Sequence, residues 1–139
     1  MKKLMPLFLT ALVLTGCAGT PSPSGDHTED QSTAPANTYR QISMDEAVSM
    51  MERESGYIIL DVRRPDEYAA GHIPNAINVA NENIGIDEIP ELPDKDQLIL
   101  VYCRSGRRSK EAAEKLTKLG YTNIVEFGGI LDWTGDIET

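Results

Sequence analysis

Cysteine and histidine are scarce in this chain, with two of each among 139 residues. Spread so thinly, they form no ligand cluster of the kind a metal centre needs, so no metal is expected. Basic side chains are also few, 13 against 22 acidic ones. That balance argues against nucleic acid as a partner and against electrostatic adhesion to anionic lipid. No apolar run reaches the roughly 18 residues that a permanent membrane-spanning helix needs. No glycine-containing loop carries the Lys-Ser/Thr ending that cradles nucleotide phosphates, and no cofactor is expected. There is no internal repeat, and the length admits one domain rather than two.

The first stretch reads as a processing signal. Met1-Lys2-Lys3 is a short basic segment, and Leu4 to Thr15 is an apolar run broken only by Pro6 and Thr10. It ends in Leu14-Thr15-Gly16-Cys17, which resembles the lipobox of bacterial lipoproteins. The resemblance implies cleavage after residue 16, acylation of Cys17 (palmitate among the chains), and a cell-membrane, extracytoplasmic location. Without Lys2 and Lys3 the mature chain keeps 11 basic and 22 acidic side chains, a formal charge of −11. Attachment to the membrane then rests on the acyl chains alone, at about 0.8 kcal/mol per buried methylene. With Cys17 carrying lipid, Cys103 has no partner for a structural disulfide. A lone thiol in an exported protein is either buried and inert or kept for its reactivity.

Residues 17–38 are Gly, Thr, Pro, Ser, Asp, Asn and Ala with almost no large apolar side chain. Such a segment cannot bury a core and reads as a disordered tether spanning roughly 25 Å. From residue 39 the pattern changes. Ser43 and Glu46 have the spacing of a capping box, and Met44, Ala47, Val48 and Met51 fall on one face of the helix that follows. Tyr57 to Val62, Ala76 to Val79, Gln97 to Tyr102 and Asn123 to Val125 read as short buried strands. Pro65 to Ala70 suits a brief helix with Pro at its first position and Gly71 after it. Ser109 to Leu119 is the clearest helix, closed by Gly120. Gly128-Gly129 is expected to open a last short helix bearing Trp133, a core or rim side chain. The acidic stretch Asp87 to Asp96 reads as a solvated connection. Alternating strands and helices imply right-handed crossovers and a small parallel sheet with helices on both faces, an α/β domain over residues 39–139.

In such sheets ligands bind beyond the carboxyl ends of the strands. Cys103 lies there, between the strongest strand and the clearest helix. The connection Cys103-Arg104-Ser105-Gly106-Arg107-Arg108-Ser109 holds the one cationic cluster of an acidic domain. A tight loop of this kind turns successive N–H groups inward as an anion nest, and the helix that starts there adds its free N–H groups and positive dipole end. Gly106 permits a backbone angle that strains other residues. Helix N-termini and guanidinium groups both stabilise a thiolate, which makes Cys103 a candidate nucleophile acting on, or carrying, an anion.

Leu60-Asp61-Val62-Arg63, Glu67-Tyr68, Gly71 to Asn78, Tyr102 to Ser109, and Gly128-Gly129 with Trp133 together resemble the rhodanese-like domain family. The motifs stand in the family's order from Ile42 to Trp133. The resemblance implies a sulfurtransferase of the thiosulfate:cyanide class. In it, Cys103 takes sulfane sulfur from a small anionic donor as a persulfide and passes it to cyanide or a thiol. Cys103 to Arg108 match the family's six-residue active loop, so Arg104, Ser105, Gly106, Arg107 and Arg108 are the implied anion-binding residues. Asp61 and Arg63 match a strand-end polar pair that shapes the loop. His72 is placed in a structural turn rather than as a general base. Asn75 stands where the commonest motif has Gly, a replacement that suits a left-handed conformation.

Two other readings stand beside this one. Cysteine phosphatases and arsenate reductases of related fold place an Arg six residues after the cysteine, where this chain has Ser109. A rhodanese fold can also serve as a tethered binding module without catalysis, in which case replacing Cys103 leaves function intact. A thiol–disulfide oxidoreductase is a poor fit, because no second cysteine lies near Cys103 to resolve a mixed disulfide.

Overall fold

Short apolar runs separated by amphipathic helices bury both faces of a sheet, and the chain does so here. A computed structural model describes Gly16 and residues 38–139. Cys17, the cleavage site and the tether lie outside the described residues. The strands are β1 (Arg40–Gln41), β2 (Ile58–Asp61), β3 (Ile77–Asn78), β4 (Ile99–Cys103) and β5 (Ile124–Gly129). The helices are α1 (Met44–Arg53), α2 (Pro65–Ala70) and α3 (Arg107–Lys118), with 3₁₀ turns at Asn81–Asn83 and Ile130–Asp132. All neighbouring strands pair in parallel, in the order β1-β5-β4-β2-β3.

Central β4 is buried along its whole length, which is why its five residues are all apolar or nearly so. Alternation along it divides the core. Ile99, Val101 and Cys103 join Leu60, Val62, Ile124 and the α3 residues Ala112, Ala113 and Leu116 on one face. Leu100 and Tyr102 join Ile59, Val125, Phe127 and Ala47 of α1 on the other. Cys103 therefore points to the α3 side, beneath the helix that its own loop begins.

Local signals act as the sequence indicates at both helix ends that matter. The Ser43–Glu46 capping box is present in full. At the end of α3, Tyr121 N–H donates to Leu116 C=O and Gly120 N–H to Thr117 C=O, both at 3.1 Å. Gly120 takes φ +94° there, so two orphan carbonyls are satisfied by a Schellman ending. Asn75 adopts φ +65°, as the Gly-to-Asn replacement requires.

Several boundaries differ from the sequence reading. Helix α3 begins at Arg107, two residues before Ser109, because left-handed Gly106 (φ +102°) caps it. Arg107 and Arg108 thus sit on its first turn. Strand β5 runs on through Gly128-Gly129 to pair Gly129 with Cys103 across a bulge that adds one residue on β5 after Glu126. Trp133 follows a 3₁₀ turn instead of riding on a helix, and it packs half-buried against the α1-side core. The acidic connection is anchored, since Ile89 and Leu92 are buried and the Tyr121 hydroxyl donates to Leu92 C=O at 2.6 Å. Polar β1 was invisible to the sequence reading because both of its residues are exposed and only its backbone pairing to β5 makes it a strand.

Candidate functional site

Cys103 ends β4 at the floor of an open cleft of about 810 Å³. The cleft is lined by Arg63, Arg64, Glu67 and Ala70 from the end of β2 and α2, by Arg104, Ser105, Arg107 and Arg108 from the loop and the start of α3, and by Ile130 and Leu131 after β5. The thiol itself is nearly buried, with 1% of the residue exposed. Gly106 N–H donates to Cys103 Sγ at 3.0 Å, and Ser109 Oγ lies 3.5 Å from the sulfur. Burial pushes the thiol up. Hydrogen bonding with the Ser109 hydroxyl and with the backbone N–H groups of Ser109, Gly106 and Ser105 outweighs burial, and the Cys103 thiol lies below its ordinary value. The site therefore favours an anion on sulfur through the Ser109 hydroxyl first and then through backbone N–H groups, the latter as expected of a nest at a helix N-terminus.

The arginines divide unexpectedly. Arg108 makes a two-pronged pair with Glu67 of α2, at 2.7 and 2.9 Å. Arg107 pairs with Glu111 one turn along α3 at 2.8 Å, and Arg64 with Asp66 at 2.6 Å. The hydrogen bond from Arg108 holds the Glu67 carboxyl down at about 2, so this pair persists across any ordinary pH. Among the described residues, exposed Arg104 is the loop arginine without an ion-pair partner. Of the three arginines read as an anion trap, two are largely neutralised within the protein.

Asp61 and Arg63 reach the loop indirectly. The Asp61 carboxylate, fully buried, accepts from Arg63 N–H, Nε and Nη2, the last at 2.6 Å, and from the Tyr102 hydroxyl at 2.7 Å. Arg63 also donates to Gly71 C=O, and Tyr102 Oη accepts from Ile73 N–H. Burial, then the Asp61 charge, pushes the Tyr102 phenol up. The network fixes Tyr102, the residue directly before Cys103, to the end of β2 and to the turn at Gly71 to Ile73. No side chain of the pair bonds the loop itself. His72 lies in that turn, stacked on Tyr68 and bridged to Glu138 by two backbone bonds of 2.9 Å. It does not line the cleft.

The roles of three residues escaped the sequence reading. Glu67 was visible only as part of a motif, and its partner Arg108 is 41 residues away. Gly129 lies so close under the loop that a Cβ there would overlap the Arg104 carbonyl and stand 2.5 Å from the Ser105 nitrogen. Glu126, buried to 2%, touches Ser109 from below. A lone acidic residue inside the apolar run Ile124-Val125-Glu126-Phe127 was the available signal for it.

A family model described as a rhodanese-like domain matches residues 43–136. Over 73 residues the chain is 37% identical to the thiosulfate sulfurtransferase PspE of Escherichia coli (strain K12), covering 52% of this chain and 70% of that protein. It is 32% identical over 91 residues to the thiosulfate sulfurtransferase GlpE of Pseudomonas entomophila (strain L48), covering 66% of this chain and 80% of that one. The chain spans only 22% of a longer relative, the adenylyltransferase and sulfurtransferase UBA4 of Candida albicans. Among solved structures, the rhodanese-like domain of the Anabaena protein Alr3790 aligns with a TM-score of 0.65 at 27% identity, covering 73% of this chain and 80% of that one. Fold, loop and relatives agree, and the chain belongs to the rhodanese-like domain family.

Proposed function

We propose that this protein is a rhodanese-type sulfurtransferase that carries sulfane sulfur on Cys103. The observation that carries the reading is the sulfur atom at the floor of the cleft, held by Gly106 N–H at 3.0 Å with its thiol below the ordinary value. The thiosulfate sulfurtransferase names of PspE and GlpE support it.

In the first half-reaction the Cys103 thiolate attacks the outer sulfur of thiosulfate. The donor S–S bond breaks, sulfite leaves with the electron pair, and a persulfide remains on Cys103. Its terminal sulfur carries negative charge, which inward-facing N–H groups and the start of α3 stabilise. In the second half-reaction cyanide or a thiolate attacks the terminal sulfur, and the electron pair returns to Cys103 Sγ. Arg104, unpaired at the mouth, meets the anionic donor, while the Glu67–Arg108 pair braces the loop against α2. The phosphatase reading finds no support in the arginines, because position 109 is Ser and Arg108 is turned to Glu67.

Purified reduced protein is expected to turn over thiosulfate and cyanide, and Cys103→Ser to abolish turnover. In the same assay Arg104→Ala is expected to raise KM for thiosulfate with kcat little changed. A Cys103→Ser protein as active as the parent sinks the reading and brings the binding-module alternative forward.

The proposal includes the N-terminal processing: Cys17 carries the lipid, and residues 17–38 tether the domain outside the cytoplasmic membrane. The lipobox-like Leu14-Thr15-Gly16-Cys17 motivates it. Protein made in bacteria is expected to partition into the membrane fraction and to become soluble on Cys17→Ser; equal partitioning of both contradicts lipidation.

A further inference from the structure

Glu126 is a buried acid with no cation beside it among the described residues. An ionised carboxylate in such a place is costly unless its hydrogen bonds are filled. Here they are: Oε1 accepts from Ser109 Oγ at 2.6 Å and from Gly128 N–H at 2.8 Å, and Oε2 accepts from Gln41 Nε2 at 3.1 Å. The contact with Ser109 sets up a competition. Ser109 has one hydroxyl proton and four groups within reach that can accept it: Glu126 Oε1 at 2.6 Å, Gly106 C=O at 3.0 Å, Gly128 C=O at 3.3 Å and Cys103 Sγ at 3.5 Å, of which only Glu126 and a Cys103 thiolate carry charge. Both come from the α3 side of the sheet, one strand apart, because Glu126 pairs with Val101, which shares that face with Cys103.

We propose that Glu126 is a positioning residue that governs the proton on Cys103 by directing the Ser109 hydroxyl. With Glu126 ionised, the hydroxyl proton points at the carboxylate, and Ser109 offers the sulfur a lone pair that suits S–H. With Glu126 protonated, the acid donates to Ser109 Oγ, and the hydroxyl turns its proton to a sulfur anion. Moving from one arrangement to the other transfers a single proton. The S–H bond breaks with its electron pair left on sulfur, its proton goes to Ser109 Oγ, and the Ser109 proton passes to Glu126. Total charge is unchanged. The degree to which Ser109 lowers the thiol therefore depends on Glu126.

Other groups around the acid do not substitute for this path. Gln41 of β1 and the Gly128 N–H are neutral donors. The Tyr39 phenol senses Glu126 and Glu114 of α3 and is pushed up, first by its own burial and then by those two carboxylates. Glu114 and Tyr39 are thus the other titratable groups on that side, and neither bonds Ser109. For the reaction, the arrangement keeps a proton within two bonds of Cys103 when sulfur is handed to an acceptor and the thiolate reappears. That last step rests on the sulfurtransferase reading; the control of the thiol does not.

The test is the pH dependence of Cys103 alkylation by iodoacetamide, a neutral probe, in the purified protein and in Glu126→Gln, Ser109→Ala and the double variant. Cys17, if unmodified, is distinguished by peptide mass. The parent profile is expected to rise with a midpoint below that of an ordinary thiol. Glu126→Gln is expected to lower the midpoint by about one pH unit, with about ten-fold faster alkylation below it, because a neutral amide oxygen accepts the Ser109 proton more weakly than a carboxylate and releases it to the thiolate. In the Ser109→Ala background the same change is expected to do nothing, since the path runs through the hydroxyl. Superimposable profiles for the parent and Glu126→Gln overturn the proposal, as does an undiminished Glu126→Gln effect without Ser109. If Glu126→Gln does not fold, Ser109→Ala decides, because a profile that coincides with the parent's contradicts a path through the hydroxyl. Sulfur transfer plays no part in this measurement, so its failure is separate from failure of the sulfurtransferase reading.

Discussion

Gly129→Ala is expected to reduce thiosulfate sulfurtransfer by at least about 100-fold while leaving a folded domain. The cause is steric and local. Gly129 has extended backbone angles (φ −140°, ψ +155°) that any residue adopts, so alanine meets no torsional objection. Its Cβ, however, would overlap the Arg104 carbonyl and crowd the Ser105 nitrogen at 2.5 Å. These are backbone atoms of the active loop, held by Leu131 N–H donating to Arg104 C=O and by the register of Gly129 with Cys103. The loop has to move outward, and with it the N–H groups that face the sulfur. Overpacking of this kind typically costs about 1–3 kcal/mol. Gly120→Ala is the control. It is strained by its positive φ but meets nothing within 4 Å, so it is expected to lose about 1–2 kcal/mol of stability and no activity in the folded protein. Gly129→Ala activity within about two-fold of the parent would show that the loop does not need its observed seat.

Asp61→Ala is expected to destabilise the domain by about 3–5 kcal/mol, because it leaves the Arg63 guanidinium buried without its counter-charge. Arg63 is 7% exposed at the side chain and, among the described residues, has Asp61 as its one carboxylate partner. Removing Asp61 also leaves the Tyr102 hydroxyl without its acceptor. For a domain of about 100 residues, that cost lowers the melting temperature by roughly 15 °C or more. Activity should fall as well, at temperatures where the variant is folded, since Tyr102 directly precedes Cys103 and loses its tie to β2. The double change Asp61→Ala with Arg63→Met is expected to recover much of the stability, because no lone charge remains, but not the activity. A loss under about 1 kcal/mol for Asp61→Ala, read by thermal or denaturant unfolding, would mean that Arg63 finds water instead and that the network is not the brace described.

The thiol's position was legible in the sequence because it depends on neighbours in the chain. A buried apolar run, a glycine able to take φ +102° and a helix start within six residues suffice to place Cys103 in an anion nest. The Ser43 cap, the Gly120 ending and the left-handed Asn75 are local in the same sense. What could not be read depends on pairing across the fold. Arg108 looks like an anion ligand until α2 brings Glu67 against it. Gly128-Gly129 looks like a breaker, although these residues extend β5 and are glycine because the loop lies on them. Glu126 and Gln41 are 85 residues apart and meet only because β1 adds to the β5 edge. Arg40 and Gln41 have no apolar pattern to mark them as a strand at all.

The central claim is that Cys103 carries the transferred sulfur, and intact-mass spectrometry after thiosulfate alone tests it most directly. The account predicts that the reduced protein gains the mass of one sulfur atom, that the gain maps to Cys103, and that cyanide removes it. Cys103→Ser should gain nothing. A reduced, folded protein that takes up no sulfur from thiosulfate, or takes it up equally in Cys103→Ser, would contradict the account.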